Sequence, residues 1–393
     1  MNDTLLLNRA PRSLYVHIPF CASKCYYCDF NSYVAGNAVR AAYVDDLTVE
    51  LRLLRDIYFG HGERPSLDTV FFGGGTPTLL SSAQWRTVAA TIHELFDIAP
   101  DCEWTAEANP GTVDAALLDT LIALGVNRLS FGAQTLNETL LQAIGRIHSA
   151  DDVLRSIELA AAKGLARISV DLMLGLPDQT LQDVSHSLSR LLASGVSHVS
   201  AYGLKVEEGT PFARWQVAGL LRLPDEDAEV AMYEAARDIL TTHGYAQYEI
   251  SNFAQPGQEA RHNLVYWSNL PYLAAGAGAH GYVRASRYQN ERSLPSYGQR
   301  VRRGERPVAE VQTVTPEAAM EDTMMLGLRL ERGVADSYFR ALHGVEMRAV
   351  FGNVIERLAK QGALLLDANG VRIPSAHYEV ANEIFSAFIG VCS

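Results

Sequence analysis

The sequence predicts an α/β protein, with a partial (β/α)6 barrel of the TIM type followed by a small C-terminal winged-helix-like α+β domain. Two observations support this fold class. Six short strand-like runs alternate with amphipathic helical segments over the first 205 residues, which is typical of a parallel sheet with right-handed helical connections. From residue 225 onward the alternation stops, and the last segment combines helices with a hairpin centred on Asn369 and Gly370. A doubly wound open sheet is the alternative, because sequence specifies strand pairing poorly.

The individual elements follow from hydrophobic periodicity and from helix-ending glycines such as Gly125, Gly164 and Gly195. The predicted strands of the barrel span residues 13–18, 68–72, 103–106, 127–131, 167–172 and 198–202. The predicted helices span residues 39–59, 82–96, 115–124, 151–163, 181–193, 227–242, 316–330, 335–342 and 345–361. We divide the chain into a barrel (1–245), an extension (246–307) and a C-terminal domain (308–393). In the extension we expect a compact loop at 261–267 and an arginine-rich, solvated linker at 284–307.

The composition excludes several classes of protein. The chain has 393 residues with 33 basic and 45 acidic side chains, and its formal charge of −12 argues against a nucleic-acid partner. No apolar run approaches the ~20 residues of a membrane-spanning helix. Five cysteines in so long a chain do not make a disulfide scaffold. We therefore expect a cytoplasmic, metal-binding protein.

Cys21, Cys25 and Cys28 carry the strongest chemical signal. A structural zinc site normally closes with four protein ligands, and no fourth cysteine or histidine lies close by in the sequence. Three thiolates suit a [4Fe–4S] cluster in which one iron has no protein ligand. That iron is then free to bind a small molecule. Cys102 and Cys392 stand apart, and we interpret both as structural or incidental.

This CxxxCxxC pattern after the first strand resembles the signature of the radical S-adenosylmethionine (SAM) proteins. The glycine run at 73–75, after the second strand, supports the resemblance. The resemblance implies a [4Fe–4S] cluster on the three cysteines, with SAM on the open iron. Further positions resemble the oxygen-independent coproporphyrinogen III oxidases and imply SAM contacts at Tyr15, Tyr27, Gly74, Gly75, Thr76, Glu107, Gln134, Arg146, Asp171 and Gly203.

The sequence departs from the oxidases in two features. In both it resembles a branch of that family, the radical SAM haem chaperones. Phe30 stands where the oxidases have a fourth cysteine. Tyr15 lies fourteen residues after the start, so we expect no counterpart of the oxidases' N-terminal extension. The HNxxYW mark of the branch is found at residues 262–267. The resemblance implies a haem site at His262, Asn263, Tyr266 and Trp267. His262 is the first candidate for the axial ligand, followed by Tyr266, His280 and His17.

The resemblance implies a chaperone that binds haem, the cluster and SAM, and that delivers haem to apo-haemoproteins such as respiratory-chain components. A flavodoxin or ferredoxin would supply electrons, and peripheral contact with the membrane would accompany delivery. We expect no coproporphyrinogen oxidase activity and assign no catalytic residue, while SAM cleavage and a homodimer stay open. The alternatives are the oxidase or another tetrapyrrole-modifying radical SAM enzyme, with an RNA-modifying enzyme disfavoured by the acidic C-terminal domain. Apart from a solvated linker, the arginine-rich segment has a second interpretation, a site for haem propionates.

Overall fold

In the computed structural model, which describes residues 5–392, the first strands form one parallel sheet. Each strand from β1 to β6 pairs with the next in chain order. A doubly wound sheet would reverse its strand order at a switch point, so the sequential order excludes that alternative. The predicted α/β fold class is confirmed. The strands are β1 (Ser13–Ile18), β2 (Ser66–Gly74), β3 (Asp97–Ala108), β4 (Arg128–Gln134), β5 (Arg167–Leu174) and β6 (His198–Gly203).

Helices connect successive strands. The predicted barrel helices agree with the structure to within two residues at each end, because capping residues mark their starts. Ser81, Ser149 and Thr180 each accept a hydrogen bond from the third helical residue in a capping box. The helices are α1 (Asn37–Phe59), α2 (Ser82–Leu95), α3 (Ala115–Ala123), α4 (Glu138–Ala143), α5 (Ala150–Ala162), α6 (Leu181–Ala193), α7 (Pro211–Val217) and α8 (Glu226–Thr242).

The sheet continues beyond the six predicted strands. Strands β7 (Ala246–Glu249) and β8 (Asn252–Ala254) extend it antiparallel beside β6, and β9 (Leu273–Ala275) pairs parallel with β1 at the other edge. Between them lies α9 (Arg261–Trp267). The prediction of a loop at 261–267 is therefore wrong. The segment contains no glycine or proline, and its first turn is fixed by burial of His262 against the barrel, which periodicity does not reveal.

The prediction of a solvated linker at 284–307 is also wrong. The segment is ordered as part of an antiparallel sheet of β10 (His280–Val283), β11 (Ser286–Asn290) and β12 (Val308–Thr313), and as α10 (Leu294–Arg302), which packs on α1. Two of its arginines are held by partners from distant parts of the chain. Arg302 pairs with Asp46 at 2.8 Å, and Arg287 pairs with Asp322 at 2.7 Å.

The C-terminal domain has its own hydrophobic core, which includes the buried side chains of Met324, Phe339, Phe351 and Phe388. A small sheet in the order β13-β15-β14 packs with the helices, and β14 and β15 form the predicted hairpin. No helix within residues 5–392 is both long and apolar enough to span a membrane. The elements are α11 (Pro316–Gly327), β13 (Val334–Ala335), α12 (Asp336–His343), α13 (Met347–Lys360), β14 (Leu365–Leu366), β15 (Gly370–Arg372) and α14 (Ala381–Ser386).

Glu50 of α1 joins the extension to the barrel. Its buried carboxylate accepts hydrogen bonds from the Gly276 amide at 2.7 Å, Asn290 Nδ2 at 2.6 Å and the Tyr297 hydroxyl at 2.6 Å. Burial raises the pKa of Glu50 to about 7. The three donors come from the loop after β9, from β11 and from α10. One carboxylate therefore fixes three segments of the extension against α1.

We expect Glu50→Ala to lower the free energy of unfolding by about 3–5 kcal/mol. The substitution leaves three buried donors without their acceptor, and each such loss costs ~1–3 kcal/mol. Chemical denaturation followed by circular dichroism measures the change. Glu94→Ala is the matched control, because it removes an exposed glutamate that pairs with Arg52 at the surface, and it should change stability little. Equal stability of the two variants would contradict the importance of the Glu50 network.

Candidate functional site

The loops at the carboxyl ends of β1 to β6 enclose one cavity. These ends meet at the same edge of a parallel sheet, which is where binding sites gather in such folds. The cavity contains about 1110 Å³ of empty space, including its open mouth. The structure brings most of the predicted cluster and SAM residues to its wall: Cys21, Cys25, Tyr27, Cys28, Gly74, Gly75, Glu107, Gln134, Arg146, Asp171 and Gly203.

The glycine run after β2 packs directly against the start of the cysteine loop. The Gly75 amide donates a hydrogen bond to the Ile18 carbonyl at 2.9 Å. A Cβ on Gly75 would lie 2.5 Å from the Phe20 carbonyl oxygen, and a Cβ on Gly74, whose φ is +106°, would collide with the His17 imidazole. Only glycine permits this approach. The run therefore sets the distance between β2 and the cysteine loop.

Thr76, predicted to contact SAM, is buried behind the cavity wall. Its amide donates to the Phe20 carbonyl at 2.7 Å, and its hydroxyl lies 3.7 Å from Cys21 Sγ. The same hydroxyl accepts a hydrogen bond from Asn109 Nδ2 at 2.7 Å. Thr76 therefore supports the first cysteine from behind.

The three thiols of Cys21, Cys25 and Cys28 face the cavity and are partly exposed. Burial and the two neighbouring thiols raise the pKa of Cys28 to about 11. Within residues 5–392, no three His, Cys, Asp or Glu side chains are gathered tightly enough to hold a single metal ion. A [4Fe–4S] cluster has a different requirement, because each thiolate binds its own iron. Three thiols around one cavity are the donor set that such a cluster needs.

Two carboxylates lie at the floor of the cavity. The Gly74 amide donates to Glu107 Oε2 at 3.0 Å, and the Ser130 hydroxyl lies 3.5 Å from Asp171 Oδ1. Burial, together with the charge of Asp171, raises the pKa of Glu107 to about 8. Burial also raises the pKa of Asp171 to about 6. Within residues 5–392 neither acid forms an ion pair, although the charges of Arg146 and Arg128 partly offset the burial of Asp171, so the floor favours a cationic group on a ligand.

Arg146 supplies the opposite charge on the facing wall. Its two terminal nitrogens donate to Asn109 Oδ1 at 2.7 Å and to the Tyr27 hydroxyl at 2.9 Å. Its Nε is buried and has no hydrogen-bond partner within the described part of the chain. A buried donor of this kind fits an acceptor from a ligand. The carboxylates and Arg146 together suit a zwitterion such as SAM, which carries ammonium, sulfonium and carboxylate groups.

The residues predicted to bind SAM do not include Asn109 and Tyr202, which also line this wall. Asn109 connects Thr76 with Arg146, and the Tyr202 hydroxyl donates to Gln134 Oε1 at 3.2 Å. Both stand at the carboxyl ends of predicted strands. Asn109 follows Glu107 by two residues, and Tyr202 is the last residue of the strand predicted at 198–202. That position was the available signal.

A second cavity adjoins the first. Gly74, Glu107, Asp29 and Phe30 line both cavities. Tyr15, predicted to bind SAM, lies in the second cavity, where its hydroxyl is hydrogen-bonded to His17 Nδ1 at 2.9 Å. His17 of β1 and Asn31 of the cysteine loop also line it, and the remaining wall comes from the extension: Tyr266, Tyr272, Gly278, His280, Gln289 and Arg292.

His262, the first candidate for the axial ligand, is enclosed in the barrel. Its ring is fully buried and stacks on Phe71 with a centroid distance of 5.2 Å. Nδ1 is 2.7 Å from the Thr69 hydroxyl and Nε2 is 2.8 Å from the Tyr266 hydroxyl. Burial lowers the pKa of His262 to about 3. Both ring nitrogens are engaged, so neither is free for iron in this arrangement.

The other predicted haem residues do not meet at one cavity. Tyr266 lines the second cavity, whereas Trp267 lines a separate one next to the C-terminal domain. The Arg329 guanidinium stacks over the Trp267 ring at 4.4 Å. Asn263 lines neither of these two cavities. Residues at successive positions of α9 point in different directions, which separates the members of the motif.

Comparison with known proteins agrees with this geometry. Residues 15–191 match the family model of the radical SAM superfamily, and residues 314–376 match that of the HemN C-terminal domain. The fold resembles the solved coproporphyrinogen III oxidase HemN of Escherichia coli with a TM-score of 0.82 and 23% identity, over 97% of this chain and 90% of that one. Fold and cavity together define a radical SAM protein.

Two curated relatives identify the branch. The chain is 39% identical to the heme chaperone HemW of Bacillus subtilis (strain 168), over 96% of this chain and 99% of the relative. It is 40% identical to the heme chaperone HemW of Escherichia coli (strain K12), over 70% of each. The chain belongs to the HemW family. The family resemblance predicted from the sequence is confirmed.

The raised pKa of Glu107 predicts how stability depends on pH. Between its ordinary pKa of 4.5 and its folded pKa of about 8, the native state binds a proton that the unfolded state has released, so stability falls as pH rises through this range. Glu107→Gln should flatten this decline, most clearly between pH 6 and 8. Thermal unfolding of the metal-free protein across this range measures it. Glu305→Gln, which removes an exposed carboxylate, should keep the wild-type slope, and an unchanged slope in Glu107→Gln would contradict the shift.

Proposed function

We propose that this protein is a cytoplasmic haem chaperone that binds a [4Fe–4S] cluster, SAM and haem and delivers haem to apo-haemoproteins. The observation that carries this proposal is the pair of adjoining cavities, one with the three thiols and one beside it on the extension. Such a pair offers a place for a large second ligand next to SAM. The name of the curated HemW relatives, heme chaperone, supports haem as that ligand.

Cys21, Cys25 and Cys28 would hold the cluster, and the cavity floor would hold SAM. A cluster held by these three thiolates would supply one-electron chemistry beside the sulfonium of SAM. Glu107 and Asp171 would attract the cationic groups of SAM, and the Arg146 guanidinium would pair with its carboxylate. Asn109 and Tyr27 hold Arg146 in place for this contact. Tyr15 and Thr76 would support the site without lining the first cavity. Tyr15 lies in the second cavity, and Thr76 lies behind Cys21.

Haem would lie in the second cavity, against Tyr266 and the shared residue Phe30. Flat aromatic side chains suit the faces of a macrocycle. Haem is the cargo in this proposal, and respiratory-chain haemoproteins are the proposed acceptors. A flavodoxin or ferredoxin would reduce the cluster from the open mouth of the first cavity. Peripheral membrane contact would place the protein near acceptors embedded there.

A second candidate function is oxygen-independent coproporphyrinogen III oxidation or another modification of a tetrapyrrole. The fold shared with the solved oxidase favours it. Phe30 argues against it, because this side chain occupies the position of the oxidases' fourth cysteine. The phenyl ring is 60% exposed and lines both cavities. It offers an apolar surface in place of a thiol.

We predict about four irons and four sulfides for each anaerobically reconstituted chain, as a [4Fe–4S] cluster requires. Cys21→Ala, Cys25→Ala and Cys28→Ala should each abolish cluster binding, because each thiolate binds a different iron. Iron and sulfide analysis together with paramagnetic resonance of the reduced protein measures this. Cys102→Ala and Cys392→Ala are the controls and should retain the cluster. Full iron content in any of the first three variants would contradict the assignment.

Haem transfer distinguishes the chaperone from the oxidase. The haem-loaded wild type should pass haem to an apo-haemoprotein. The absorption spectrum of the acceptor measures this transfer. With SAM and reductant, it should form no protoporphyrinogen from coproporphyrinogen, because the site lacks the oxidases' fourth cysteine. Product analysis by chromatography is the measurement, and an oxidase prepared in parallel is the positive control. Rapid decarboxylation without haem transfer would replace the chaperone by the second candidate.

A further inference from the structure

We infer that His280 is the protein ligand of haem iron in the second cavity, and that Arg292 binds a haem propionate there. This inference rests on the haem binding proposed above and assigns the residues that perform it. It differs from the expectation that the HNxxYW motif supplies the ligand through His262. The argument follows from the availability of each candidate side chain.

Three of the four candidate ligands are already engaged. Both ring nitrogens of His262 are hydrogen-bonded inside the barrel. Those of His17 are bonded to the Tyr15 hydroxyl and the Asn31 carbonyl, each at 2.9 Å. The Tyr266 hydroxyl is held by His262, and burial raises its pKa well above the usual value, which opposes the tyrosinate form that binds iron.

His280 differs from these three side chains because it is both accessible and unengaged. Its side chain is solvent-accessible and lines the second cavity. In residues 5–392 its imidazole has no hydrogen-bond or ion-pair partner. Partial burial and the charge of Arg292 lower the pKa of His280, in the direction of the neutral ring. Neutral imidazole is the form that coordinates iron.

The backbone around His280 is built for this position. His280 begins β10 and pairs with Gln289 of β11, so both side chains face the cavity. Asn31 of the cysteine loop donates to the Ala277 carbonyl at 2.9 Å and to the Arg292 carbonyl at 3.1 Å. A Cβ on Gly278 would lie 2.6 Å from Asn31 Nδ2. The glycine-rich turn therefore brings His280 and Arg292 to the cavity beside the cluster loop.

Arg292 is the arginine of the segment 284–307 that lines this cavity. Several of its neighbours are committed elsewhere: Arg287 to Asp322, Arg300 to Glu291 and Arg302 to Asp46. Arg292 forms no ion pair within the described residues, and its backbone is anchored by Asn31 and Tyr33. A guanidinium binds a carboxylate through two parallel hydrogen bonds. The propionates of haem are the carboxylates that a neighbouring histidine-bound iron would bring to it.

The first experiment is a haemin titration of the reconstituted full-length protein, followed through the Soret band. The wild type should bind one haem with a histidine-ligated spectrum. His280→Gly should lose that spectrum and weaken binding at least tenfold, and added imidazole should restore the spectrum by occupying the vacated position. His61→Ala, which removes an exposed imidazole elsewhere, is the matched control and should behave as wild type. Restoration by imidazole separates a ligand from a residue that merely supports the fold.

The second experiment compares haemin with its dimethyl ester, in which both propionates are blocked. Arg292→Ala should weaken haemin binding about tenfold, leave the Soret position unchanged and have no effect on the ester. Arg303→Ala is the control from the same segment, with an exposed arginine outside the cavity. Equal losses for haemin and ester in Arg292→Ala would overturn the propionate contact.

The remaining outcomes separate the inference from the function on which it rests. A wild-type spectrum and affinity in His280→Gly, or a loss that imidazole does not restore, would overturn His280 as the ligand while leaving the chaperone proposal intact. A wild type that binds no haem would overturn both. The wild-type titration therefore tests the function, and the comparison of variants tests the ligand.

Discussion

Two backbone hydrogen bonds hold the site together, from Gly75 to Ile18 and from Thr76 to Phe20. They join the end of β2 to the first residues of the cysteine loop, and they form because glycine lets the two backbones approach. The preceding amide in the run, that of Gly74, is thereby directed at Glu107. The position of Cys21 and the carboxylate floor are consequently fixed by the same few peptide groups.

Buried polar side chains attach the later segments to this framework. Glu50 holds the loop after β9, β11 and α10. Glu103 of β3 accepts the His262 amide at 3.0 Å and pairs with Arg167 at 3.3 Å, so α9 begins at a buried charge of the barrel. Asn31 performs the same task for the wall of the second cavity. Each of these anchors is a polar side chain of the barrel or of the cysteine loop. Leaving its hydrogen-bonding groups unpaired would cost free energy.

Local signals explain what the sequence could predict. Helix α6 was predicted to the residue because Thr180 and Asp183 form a capping box at its start and Gly195 follows its end. The cavity wall was predictable because strand ends converge in any parallel α/β fold. The ordered segment 284–307 was not, because Arg302 meets Asp46 across 256 positions, and no periodicity reports such a contact. The same applies to His262, whose partner Thr69 lies 193 positions away.

Glu107 lines both cavities, and this has a thermodynamic consequence for their ligands. A carboxyl group with a pKa of about 8 is mostly protonated near neutral pH, and its ionised fraction rises when a cation binds beside it. A cation in the first cavity favours its ionised form, and that charge is then present in the wall of the second. Any resulting change in affinity must be reciprocal: a ligand that weakens the binding of its neighbour by a given factor is itself weakened by the same factor. The loss or gain of one proton at Glu107 is thus sufficient to couple ligand binding in the two cavities.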